Sequence, residues 1–220
     1  MRIAPVGLYF DTTKNWTIEK VAMLGAEIAA LTHSHDLGYI PAAAQAYIIN
    51  AILYGAYTGP RDLNNIITDC LACMCALFGD KPHIYYFKEL IESAVDLAHS
   101  DETDIDCLHM IGRGSVAEET LAIAVFCALR YKDNFEKAIT VSVNHGGDSD
   151  STGAVTGNIL GAYHGFHNLP PKFIKNLELK DTILEIAADL CSDYPAPAHG
   201  SPMDDIWKHK YIDCDYPNKP

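Results

Sequence analysis

Residues 144–165 read Asn144-His145-Gly146-Gly147-Asp148-Ser149-Asp150-Ser151-Thr152-Gly153-Ala154-Val155-Thr156-Gly157-Asn158-Ile159-Leu160-Gly161-Ala162-Tyr163-His164-Gly165. Two glycines free the backbone, and then carboxylates and hydroxyls arrive together where a helix begins. Asp148, Asp150 and Ser151 offer hard oxygens suited to one Mg²⁺ or Ca²⁺. The same residues also suit a plain helix start, in which one Asp or Ser caps and the others favour the dipole. An EF-hand does not fit, because with Asp148 at the first position Ile159 stands where a bidentate Glu is required. Behind the acids, Gly153, Gly157, Gly161 and Gly165 recur every four residues. Each glycine costs about 1 kcal/mol against alanine, so roughly 4 kcal/mol must be recovered by close backbone packing. The spacing therefore predicts a deeply buried helix that holds its N-terminal carboxylates rigidly.

Outward from this segment the periodicity stays helical. Val21, Leu24, Ile28 and Leu31 repeat at three and four residues, as do Ala44, Tyr47, Ile48, Ala51 and Gly55 after Pro41. Further helices are predicted over 64–78, 84–98, 116–131, 135–143, 149–164 and 182–191, with Ser115 and Glu118 as a capping box for the one at 116. No alternating strand pattern is sustained, so the fold class is all-α. A helical domain over 1–194 is expected, followed by a tail over 195–220 rich in proline, wrapping over the surface or fraying. The 220 residues suit one large domain.

The net charge of −13 repels phosphate backbones and anionic lipid, which argues against nucleic acid and against a membrane as partners. The sequence reading finds no run approaching the ~18–20 apolar residues of a membrane span. Nor do residues 1–14 follow a signal-peptide pattern, and a cytoplasmic protein is expected. Seven cysteines, an odd number scattered through apolar segments, read as reduced core residues. Cys70, Cys73 and Cys75 lie inside a helical pattern with no second pair at zinc-knuckle spacing.

Four ordered segments resemble one family. Residues 144–165 resemble the C-terminal metal motif of the ADP-ribosylglycohydrolases. Residues 1–8, Met-Arg-Ile-Ala-Pro-Val-Gly-Leu, resemble the end of that family's Gly-Asn-Gly-x-x-Met-Arg-x-x-Pro loop. Leu31-Thr32-His33-Ser34-His35, with Leu37-Gly38-Tyr39, resembles its Thr-His segment, and residues 111–119 resemble the Gly-x-Gly loop and helix before the metal motif. The resemblance implies an all-helical hydrolase that cleaves the glycosidic bond between ADP-ribose and a protein side chain, or a related conjugate, with a pair of Mg²⁺ ions. Carried over, Asp148 and Asp150 are metal-holding catalytic carboxylates, and Ser151 is a ligand where the family usually has Thr. His33 lines the ADP-ribose cleft, and the loop Gly112, Arg113, Gly114 and Ser115 approaches the ligand. Ser115 stands where the family often has Trp.

The family's Thr-Asp-Asp-Thr helix, which supplies the remaining Mg²⁺ ligands, has no counterpart here. Asp11-Thr12-Thr13 and Thr103-Asp104-Ile105-Asp106 come nearest and repeat neither the motif nor its setting. Three donors leave half of an octahedral Mg²⁺ shell to water, so at most one ion is expected on this chain. Three expectations follow: a split enzyme completed by a companion N-terminal chain, a start placed too late, or a module that binds ADP-ribose or a nucleotide without chemistry. His33 and His35 also suit a C-terminal pair on the preceding helix, His145 suits a core or capping role as well as a ligand contact, and Arg2 at the terminus is expected to be loose.

Overall fold

Short polar side chains set where the helices begin. Thr17, Asp62, Thr103 and Asn134 each accept a hydrogen bond from a backbone N–H of the first turn that follows them. The computed structural model describes residues 1–55, 62–191 and 205–213, and among these no residue is in a strand. The all-α expectation holds. The order is α1 (Ala4–Tyr9), α2 (Ile18–Ala30), α3 (Asp36–Tyr54), α4 (Leu63–Phe78), α5 (Ile84–Ala98), α6 (Asp104–Ile111), α7 (Ala117–Arg130), α8 (Phe135–Val143) and α9 (Ser149–His164). A 3₁₀ turn at Phe166–Asn168 follows, then α10 (Lys172–Lys175), α11 (Lys180–Cys191) and α12 (Asp205–Tyr211).

Two units separate at Pro170 and Pro171. The first holds α1–α9 around α3, which packs against α1, α2, α4, α5, α7 and α9. Because it meets neighbours on every side, α3 is apolar nearly all round: Ile40, Ala43, Ala46, Ile49 and Ile52 are completely buried. Its 19 residues make it long and apolar enough, by length and composition alone, to span a membrane, which corrects the sequence reading. Two-thirds of that stretch is buried inside the protein, and this explains its hydropathy. α7 is similar, with residues 121–129 buried without a break. Gly7 and Gly25 let α1 and α2 approach α3: a Cβ on Gly7 would lie 2.7 Å from the Ala46 carbonyl oxygen, and one on Gly25 would lie 2.9 Å from the Ala46 methyl. Asn50, fully buried in α3, closes the end of α1 by donating to the carbonyls of Gly7 and Phe10 at 3.0 and 2.7 Å.

In the second unit, α11 and α12 are joined by Lys210, whose Nζ lies 2.7 Å from Glu185 and 2.5 Å from Asp189, and by the Tyr211 hydroxyl on Asp189. These paired carboxylates push the Lys210 ammonium pKa up. The expected tail boundary at 194/195 and Cys214 lie outside the described residues, while 205–211 within that tail is helical.

Several expectations need correcting. α3 starts at Asp36, before Pro41, because His35 provides the cap and Pro41 falls early in the helix. α7 is capped at Val116 with no side-chain bond, so Ser115 and Glu118 form no capping box; Glu119 turns back onto the preceding loop instead. α1 and α6 were not foreseen. Thr103-Asp104-Ile105-Asp106 is the capped start of α6, with the Thr103 hydroxyl donating to Asp106 at 2.5 Å and Asp104 held by Arg130, Tyr131 and Lys137. Asp11-Thr12-Thr13 is a turn in which Asp11 accepts from the Thr13 N–H and hydroxyl. The glycine ridge of α9 is half-buried and close-packed only at its start. An added Cβ would meet Val143 at 2.7 Å from Gly153 and Ile139 at 3.8 Å from Gly157, but nothing within 4 Å at Gly161 or Gly165. The buried face is instead Thr152, Val155, Thr156, Ile159 and Leu160, and Gly165, at φ 73°, ends the helix.

Two substitutions test this packing. Phe126→Ala, emptying a fully buried position in α7, is expected to cost about 3–5 kcal/mol in urea unfolding. Gly161→Ala, which meets open space inside a helix, is expected to stabilise by about 0.5–1 kcal/mol; a loss of stability would restore the close-packed ridge.

Candidate functional site

A junction of two loops supports the site. Gly112 and Gly114 have positive φ (146° and 72°), and the Glu119 carboxylate in α7 accepts from the N–H groups of Arg113 and Gly114 at 2.9 and 3.0 Å. The Thr120 hydroxyl donates to the Gly114 carbonyl at 2.7 Å. This fixes the Arg113 carbonyl, which accepts from the Asp148 N–H at 2.8 Å. The approach is possible only because residue 147 lacks a side chain, since a Cβ there would lie 2.0 Å from the Arg113 oxygen. The loop before α7 therefore sets the position of the first residue of the acidic cluster at the head of α9.

Behind that cluster, Thr152 is a buried hub. Its hydroxyl donates to the Ser142 carbonyl at 2.6 Å and accepts from His145 Nε2 at 3.0 Å. Burial lowers the His145 pKa, which keeps the ring neutral. Of the two readings for His145 the structure places it in the core role, buried and away from the cleft lining.

In front lies a cleft of about 300 Å³. Asp148 and Ser151 reach it from α9, Ser115 from the loop, and His33 from the turn between α2 and α3, with Met1, Arg2 and Ile3 along its edge. Ser151 Oγ donates to Asp148 Oδ2 at 3.1 Å, while Asp150 is exposed and accepts from the Ser151 N–H at 2.9 Å. A hydrogen bond with Asp150, then one from Ser151, holds the Asp148 pKa below the usual carboxylate range. Asp148, Asp150 and Ser151 offer oxygen donors of the kind that suits a hard divalent cation. His33 Nδ1 lies 2.8 Å from the Thr32 hydroxyl, which accepts from Arg2 at 2.6 Å; Arg2 also reaches the Ile28 carbonyl at 3.3 Å. Arg2 is thus anchored to the end of α2, contrary to the loose terminus expected.

The cleft brings together His33, Ser115, Asp148 and Ser151. Asp150, Gly112, Arg113 and Gly114 do not line it, and the Arg113 side chain points to solvent. His35 is not a helix C-terminal residue but the cap of α3, accepting from the Leu37 N–H at 3.2 Å. It sits with Asp36 and His83 in a second cluster of potential metal ligands. Sequence reading missed Gln45, which lines the cleft while 3 % exposed and whose Nε2 has no partner among the described residues. A lone amide inside the apolar run of α3 was the available signal. Buried Glu118, whose pKa is raised by desolvation, was also missed as more than a capping residue.

Two outcomes follow. Gly147→Ala is expected to break the Asp148–Arg113 bond and lower the melting temperature measurably, whereas Gly146→Ala, which meets no atom within 4 Å but has φ 75°, should cost only its local strain. His145, with a lowered folded pKa, resists a proton that the unfolded chain accepts, so stability should fall as pH drops through about 6.5 and below. His145→Gln should flatten that slope in melting scans between pH 7.5 and 5; an unchanged slope would exclude His145 as its source.

Known proteins with similar sequences point to one family. A family model described as ADP-ribosylglycohydrolase matches residues 1–199. The ADP-ribosylhydrolase ARH3 of Mus musculus is 26% identical over 199 residues, covering 81% of this chain and 51% of the mouse protein. Its Homo sapiens counterpart is 25% identical over 201 residues, covering 81% and 52%. The ADP-ribosylarginine hydrolase Tri1 of Serratia proteamaculans is 38% identical over 79 residues, covering 36% and 21%. The chain spans about half the length of the ARH3 relatives it matches. With the all-helical fold, the acidic head of α9 and a match over nine-tenths of its length, the chain belongs to the ADP-ribosylglycohydrolase family.

Proposed function

We propose that this chain forms one side of the active site of a Mg²⁺-dependent hydrolase that cleaves the glycosidic bond between ADP-ribose and a protein side chain or a related conjugate. The observation that carries the reading is the convergence of Asp148, Ser151, His33 and Ser115 on one cleft. Asp148, Asp150 and Ser151 hold the cation through oxygen. When bound, the ion supplies Lewis acidity and an ordered water to the reaction. His33, oriented by the Thr32 hydroxyl, and the Ser115 hydroxyl bind the ligand's polar groups, and Gly112, Arg113 and Gly114 hold the loop that positions Ser115 and Asp148. Three donors are half of the six that Mg²⁺ prefers, so water or acidic groups beyond these three residues, such as those of a companion chain, complete the shell.

The same shortfall of donors favours a second reading, in which the chain by itself binds ADP-ribose without turning it over. Release of ADP-ribose from a modified protein in Mg²⁺, measured with and without a companion chain, separates the two. Asp148→Ala is expected to reduce turnover by more than about 100-fold, equivalent to about 2.7 kcal/mol of barrier. Calorimetric binding of ADP-ribose without turnover in either setting would establish the binding module, and neither binding nor turnover would remove both readings.

A further inference from the structure

We infer that His35, Asp36 and His83 form a second cation site, separate from the oxygen set at the head of α9, that takes a borderline transition metal of the Zn²⁺ class. Asp36 is buried at the start of α3, and its carboxylate accepts from the backbone N–H of Leu37 at 2.9 Å and of His83 at 3.0 Å. These two bonds hold the oxygens in place, as a metal-bound carboxylate requires. His83 Nδ1 lies 2.9 and 2.8 Å from the two Asp36 oxygens, and His35 Nδ1 lies 3.0 Å from Oδ1. The three ligand atoms fall within 4.8 Å of one another. An ion bound at about 2.0–2.2 Å places tetrahedral ligands roughly 3.4 Å apart, so a small turn of the two imidazoles closes the set.

Those imidazoles have the freedom to turn: the side chains are 64% and 45% exposed, and their rings lie 4.9 Å apart. The same exposure leaves the fourth position to water. Two nitrogens and one oxygen suit Zn²⁺, Co²⁺ or Ni²⁺ and not Mg²⁺, which prefers oxygen alone. Without metal, the His83 ring bonds to Asp36, a contact that a bound ion replaces. The ligands come from the cap and first residue of α3 and from the residue before α5, far apart in sequence, so the ion clips the heads of two core helices together. The clip also braces the segment that presents His33, since a Cβ on Gly38 would lie 2.8 Å from the His33 Cβ.

Titrating the chelator-treated full chain with Co²⁺ alone tests the site through visible d–d absorption and melting temperature. One Co²⁺ per chain with tetrahedral bands is expected, with a melting temperature that rises with metal concentration and no competition from Mg²⁺. His35→Ala and His83→Ala should each weaken binding at least about tenfold, while Asp148→Ala leaves it unchanged. The site is overturned by absence of stoichiometric binding, by binding that survives both histidine substitutions, as cysteine ligation would, or by loss of binding in Asp148→Ala. Should His83→Ala fail to fold, His35→Ala alone decides, because that side chain stands mostly in solvent.

Discussion

The hydrogen bond from the Asp148 N–H to the Arg113 carbonyl joins two loops that do nothing alone. On one side stands a loop made possible by left-handed glycines and tied down by the Glu119 carboxylate, and on the other the start of α9. Gly147 is the condition for their meeting, because any side chain would occupy the space of the carbonyl oxygen. Ser115 and Asp148 face one cleft because of this contact, and the cluster behind it, Thr152 with His145 and Ser142, keeps α9 from turning about its axis.

The rigidity under this junction comes from α3 and α7, which are buried on nearly all sides and pack on each other and on α9. Helices of this kind carry little amphipathic signal, because every face meets a neighbour. They allow the site to be built from short segments at helix ends, where backbone N–H groups and small polar side chains gather.

Two donor sets of different chemistry flank the turn between α2 and α3. Carboxylate and hydroxyl oxygens lie at the head of α9, and imidazole nitrogens with one buried carboxylate lie at the heads of α3 and α5. Hard cations prefer the first and borderline ones the second, so the two need not compete. Gln45 Nε2 in the cleft adds a donor that has no partner among the described residues.

Helix content, the position of α4, α5, α8 and α9, and the acid cluster at residues 148–151 could be read from periodicity and local chemistry, since these depend on neighbours in the chain. So could the likeness of four short segments to one family. Tertiary structure decided the rest. Whether Ser115 caps a helix or lines a cleft depends on where Glu119 turns, and whether the glycines of α9 are packed depends on how quickly the gap to α8 opens. His35 and His83 stand 48 positions apart, so no local pattern relates them; Asp36 brings them together because burying its carboxylate requires donors from both sides.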